Sequence, residues 1–78
     1  MVVNNVTDAL VEIVRSSGKK VTQISKNLGH YYTYVSAFIT NRRDVQTSTL
    51  ASIARECGYT LTLVPDDDGG EPIEILPD

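Results

Sequence analysis

The side chains able to do chemistry in this chain crowd into one stretch and its flanks, Val21 to Asn41 with Lys19 and Lys20 before it and Arg42 and Arg43 after it. What they offer is recognition rather than bond-breaking. His30 is the only histidine and Cys57 the only cysteine, and no carboxylate or cysteine stands at nucleophile or metal spacing from His30. His30 reads as a partly buried turn residue, and Cys57, on an apolar helical stripe, as core. Asp66 to Asp68 are followed by glycines but by no bidentate Glu at calcium-loop spacing, so a solvated turn accounts for them better than a metal loop. With no phosphate-binding glycine loop and no triad candidate, the expectation is a protein that is not an enzyme and has no cofactor or metal.

The cations have a different use. The formal net charge of −3 hides an asymmetry: through Val64 seven basic residues face four acids, whereas from Pro65 onward there are six acids and no base. A basic body with an acidic tail suits a polyanionic partner in a way that a uniformly acidic protein does not. Lys19 and Lys20 on one side and Arg42 and Arg43 on the other are either solvated loop charges or, flanking a groove-facing helix, neutralise phosphates, each such contact adding roughly 0.9 to the salt slope of binding without specifying sequence.

Elements must position these groups. Val6, Ala9, Leu10, Ile13 and Val14 recur at helical spacing, with Asn5 as N-cap, Asp8 in the first turn and Gly18 as the stop, which predicts a helix from about Asn5 to Ser17. A shorter helix follows with Ile24, Ser25 and Leu28 inward; Thr22 either caps it or lies in its first turn. Gly29 allows a sharp turn. In the next helix, Tyr31 to Thr40, Val35 and Phe38 point inward. Tyr32, Thr33, Ser36, Ala37 and Thr40 form a side too polar for core and too poor in charge for an ordinary solvated face. Three tyrosines within four residues cannot share one buried face, so at least one is exposed. A fourth helix, capped by Thr47 or Ser48, repeats Leu50, Ile53, Ala54 and Cys57 and ends at Gly58. The period then changes to two over Tyr59 to Val64, a strand stopped by Pro65, and Pro72 to Leu76 is a candidate second strand.

Ser25, Gly29 four residues later, Val35 six beyond and Phe38 three more have helix-turn-helix spacing. A small residue at Ser25 lets two helices cross closely, and Val35 with Phe38 buries the second against the first. With the TLxxIAxxxGYxLxL pattern from Thr49 to Leu63, residues Val21 to Gly58 resemble the Cro and lambda-repressor class of phage repressors, small bacterial regulators and antitoxins. The resemblance covers about four-fifths of the chain. It implies an all-helical domain of four or five helices; with the alternation after Gly58, the expected fold is a mainly α, lambda-repressor-like bundle of four helices with a C-terminal β-strand or hairpin. The resemblance also implies a homodimeric transcriptional regulator, a repressor, reading a two-fold double-stranded DNA operator through the major groove. By position, Tyr32, Thr33, Ser36 and Ala37 face bases, while Lys19, Lys20, Thr22, Tyr31, Thr40, Asn41, Arg42 and Arg43 line phosphates. The chain departs from the pattern in having His30 and Tyr31 where an aliphatic and then a small capping residue usually follow the turn glycine, in having Val21 or Thr22 where Gln is usual, and in having the Tyr59 to Val64 strand in place of a fifth helix. That strand resembles those that pair across a dimer, which points to dimerisation through Tyr59, Leu61 and Leu63.

Size agrees: 78 residues make one domain near the lower limit for a self-sufficient core, a shortage that a partner chain relieves. Residues 1 to 64 form the DNA-binding domain and 65 to 78 an acidic tail or second hairpin strand. The tail either keeps a small basic domain soluble, or mimics DNA charge or restrains non-specific binding by repelling phosphates. No apolar run approaches the ~18 residues of a membrane span, and the N-terminus lacks signal-peptide features, so the expected location is cytoplasmic. The competing reading is a protein-interaction module, an antitoxin whose strand or tail covers a toxin.

Overall fold

The computed structural model describes residues 1 to 77. The chain forms four helices and a hairpin in the order α1 (Val6–Ser17), α2 (Val21–Asn27), α3 (Tyr34–Thr40), α4 (Thr47–Glu56), β1 (Leu61–Leu63) and β2 (Ile73–Ile75). α1 begins as its sequence predicts: the Asn5 side chain accepts a hydrogen bond from the Asp8 amide at 2.8 Å, and Asp8 adds negative charge at the positive end of the helix. Leu10 and Val14 of α1, Ile24 of α2, Val35 of α3 and Ile53 and Cys57 of α4 form one buried cluster, so every helix contributes to a single core. Tyr34, Phe38, Leu28 and Leu50 pack around it, half-buried.

Three elements differ from their sequence expectations. The third helix begins at Tyr34, not Tyr31. Thr33 occupies the cap position without a side-chain hydrogen bond, and the Tyr34 amide donates to the Tyr31 carbonyl at 3.0 Å, closing a turn over Tyr31 to Thr33 before the helix starts. Neither Thr47 nor Ser48 caps α4: both lie inside its first turn, and Gln46 occupies the cap position without a side-chain hydrogen bond. The strands are shorter than the alternation suggested, three residues each. They pair antiparallel in the register Leu61 with Ile75, Thr62 with Glu74 and Leu63 with Ile73. Residues directly opposed share a face, so Leu61, Leu63, Ile73 and Ile75 lie on one side and Thr62 and Glu74 on the other.

The ends of α2, α3 and α4 follow one pattern. In each, a residue with positive φ follows the last helical turn, and the amide after it reaches back to the carbonyl five positions earlier: His30 to Ser25 at 3.1 Å, Arg43 to Phe38 at 3.2 Å and Tyr59 to Ala54 at 2.8 Å. Gly29 (φ 80°) and Gly58 (φ 85°) fill the left-handed position of α2 and α4, but α3 places Arg42 there at φ 49°. A side chain in that conformation costs roughly 1–2 kcal/mol relative to the right-handed one.

Candidate nucleic-acid interface

α2 and α3 are locked by a serine. Ser25 is fully buried; its hydroxyl donates to the Val21 carbonyl at 2.9 Å and accepts from the Val35 amide at 3.1 Å. The small side chain permits the close crossing read from the sequence, and its oxygen also serves the start of α3, where Thr33 at the cap position makes no side-chain hydrogen bond. A capping oxygen borrowed from the preceding helix was not legible in the one-dimensional spacing, because the two partners are ten residues apart and meet only once the helices cross.

The outward side of α3 and its entry turn carries the expected readers. Tyr32 and Thr33 are exposed, Ser36 and Ala37 half-exposed and Thr40 exposed. The Ser36 hydroxyl gives its proton to the Thr33 carbonyl at 3.0 Å, which leaves its oxygen as an acceptor toward an amino group. Tyr31 is 85% exposed, and Thr22, Asn41, Arg42 and Arg43 are also at the surface. Tyr34 is the tyrosine that turns inward: its ring meets Phe38 edge-on at 5.2 Å. His30 is exposed, contrary to the partly buried position expected of it, because it lies flat on the outer face of Tyr34, ring centres 3.7 Å apart and planes 7° apart.

The two lysines at the other flank separate. Lys20 stands exposed at the start of α2. Lys19 turns away to the C-terminus of α4, where its ammonium donates to the Glu56 carbonyl at 2.7 Å and to its carboxylate at 3.1 Å. The expected phosphate contact by Lys19 therefore competes with a role in holding α4 to the α1–α2 connection. Asn27 donates to the same carboxylate at 2.6 Å and accepts from Gln23 at 2.7 Å, which extends the network onto α2. The Asn27 and then the Lys19 hydrogen bonds hold the Glu56 carboxyl below its ordinary value near 4.5. A lowered carboxylate pKa stabilises the fold above the unfolded-state value, and that contribution fades as pH falls through the folded one. Glu56→Gln is thus expected to lower the melting temperature near neutral pH and to narrow its gap from the parent protein below about pH 4; a gap constant from pH 7 to pH 3, followed by circular dichroism, would show that the network carries no charge-dependent stability. Burial pushes the Cys57 thiol up, in keeping with a core residue rather than a reactive one.

No family model, curated protein or solved structure matches this chain.

Of the side chains expected at a dimer contact, Tyr59 and Leu63 are exposed and Leu61 is half-buried. The hairpin partner β2 already occupies one edge of β1, so pairing across a dimer is left the other. That edge carries no charge and no proline between Tyr59 and Val64, and so lacks the devices that usually block strand association. Among the described residues, no helix is long and apolar enough to cross a membrane.

Proposed function

We propose that the protein is a sequence-specific double-stranded DNA-binding regulator that presents α3 and its entry turn to the major groove. The observation that carries this reading is the pairing of α2 and α3 through Ser25, which leaves an uncharged, hydrogen-bonding face over Tyr32, Thr33, Ser36 and Ala37, with Arg42 and Arg43 following α3 and Lys20 exposed at the start of α2. Hydroxyl and aromatic groups of this kind read base edges and thymine methyls, while flanking cations set register on the phosphates. The left-handed Arg42 supports the same reading. Two helices with the same ending use glycine, and a guanidinium at the third is explained by a partner for its charge.

Two copies joined along the free edge of β1 would give a four-stranded sheet and present two α3 helices, matching half-sites about 34 Å apart on one side of a duplex. The second reading, a hairpin that holds a partner protein, is favoured by Leu63 and Ile73, 59% and 61% exposed on the same face of the hairpin. Selection of duplexes from a random pool tests the primary reading. It is expected to return a two-fold related sequence bound by a dimer, with Thr33→Ala and Ser36→Ala relaxing the preference more than they weaken binding to random DNA. Equal losses on selected and random duplexes would remove these residues as readers, and a monomer that enriches no sequence would favour the partner-binding hairpin.

A further inference from the structure

We infer that the cleft between the α2–α3 turn and α4 seats one phosphodiester of the DNA backbone, with the His30 imidazole donating to it. This rests on the DNA-binding reading and adds to it a contact that neither the charge pattern nor the helix spacing indicated.

The cleft holds about 260 Å³ and is lined by Leu28, His30, Tyr34, Ser48, Thr49 and Ser52. Five of the six can hydrogen-bond and none is a carboxylate. The Ser52 hydroxyl gives its proton to the Ser48 carbonyl at 3.0 Å, so the donors left to a guest are the hydroxyls of Ser48 and Thr49, the tyrosine O–H and the imidazole N–H. A phosphodiester has only acceptors to offer, and hydroxyl and N–H donors are common partners for it. The space admits a phosphate group, whereas a base pair presents its edge to the exposed side of α3.

His30 is the preorganised member of this set. Its ring lies on Tyr34, Tyr34 meets Phe38 edge-on, and Phe38 packs against the buried cluster, so a column of three rings runs from the core to an exposed imidazole. None of the side-chain hydrogen bonds among the described residues uses the imidazole nitrogens. A surface side chain held in one orientation with its donor unused loses little freedom when a partner arrives. The position also fits: His30 immediately precedes the exposed Tyr31 to Thr33 turn that enters α3.

His30→Phe preserves a flat ring on Tyr34 and removes both nitrogens. The probe is a duplex selected from a random pool by the parent protein, together with copies carrying one neutral methylphosphonate at each backbone position in turn. His30→Phe is expected to bind the unmodified duplex about 3- to 10-fold more weakly, the range of a single lost hydrogen bond. At one backbone position per half-site, the methylphosphonate should weaken the parent protein but leave His30→Phe unaffected, while positions served by other residues weaken both. His30→Asn, which keeps an N–H donor, should retain part of the sensitivity at that position. Unchanged affinity of His30→Phe, or equal sensitivity of both proteins at every position, overturns the inference and leaves the DNA-binding reading standing. A parent protein that selects no duplex overturns both.

Discussion

Ser25→Ala is expected to cost the domain about 1–3 kcal/mol, the penalty for leaving a buried donor without an acceptor. For a chain of this length that is a fall in melting temperature of roughly 4–8 °C per kcal/mol. The loss arises at the Val35 amide, which sits in the core with the Ser25 oxygen as its partner at 3.1 Å. Removing the hydroxyl creates only a small void, because the side chain is small, so the packing contribution is minor beside the orphaned N–H. The start of α3 should loosen first, since Thr33 at the cap position makes no side-chain hydrogen bond to it, and hydrogen exchange of the Val35 amide should quicken more than that of Ile24 or Ile53. A melting temperature unchanged by the substitution would mean that water or a local shift of α3 satisfies the amide, and that Ser25 matters for its size alone.

Arg42 and Arg43 carry the second large effect. Replacing both with Ala is expected to lower the salt slope of DNA binding by about 1.8, two phosphate contacts at roughly 0.9 each, with affinity falling on selected and random duplexes alike. Arg42 alone makes a sharper case. Arg42→Gly should remove one contact from the salt slope and at the same time stabilise the fold by roughly 0.5–1 kcal/mol, because glycine takes the left-handed position without the Cβ penalty but loses more entropy on folding. Opposite signs for stability and binding from one substitution would identify Arg42 as a residue kept for its charge at the expense of its backbone. Anisotropy titrations at several salt concentrations, paired with thermal melts, measure both quantities. An Arg42→Gly protein that melts higher and binds DNA with an unchanged salt slope would leave the arginine without this explanation.

These two positions differ in how far the amino-acid sequence announces them. Arg42 and Arg43 are conspicuous as a basic pair next to a helix-turn-helix spacing, but nothing in the letters says that Arg42 takes a left-handed backbone. That follows from the way α3 closes, with the Arg43 amide on the Phe38 carbonyl. The pairing of hairpin strands was suggested by alternation and by Pro65 and the glycines after it, and its register puts four aliphatic side chains on one face. The acidic turn is local and held locally: the Asp67 carboxylate accepts from the Gly69 amide at 2.9 Å.

Local patterns determined the helices of this protein. Asn5 and Asp8 set the start of α1, and apolar residues at helical spacing marked the inner faces of α1, α2 and α4, because a helix that must bury one side repeats its apolar residues every three or four positions. The same periodicity picked out Val35 as the residue by which α3 enters the core. Tertiary structure decided what those patterns could not encode: that Tyr31 to Thr33 form a turn before α3, that a serine on one helix caps the next, that Lys19 goes to Glu56, and that His30 stacks outward on Tyr34 beside a polar cleft. The Ser25–Val35 and Lys19–Glu56 contacts join groups 10 and 37 residues apart that meet only when the helices have packed; the turn and the His30 stack close within three and four residues, and a helical period does not distinguish either from a further turn of helix.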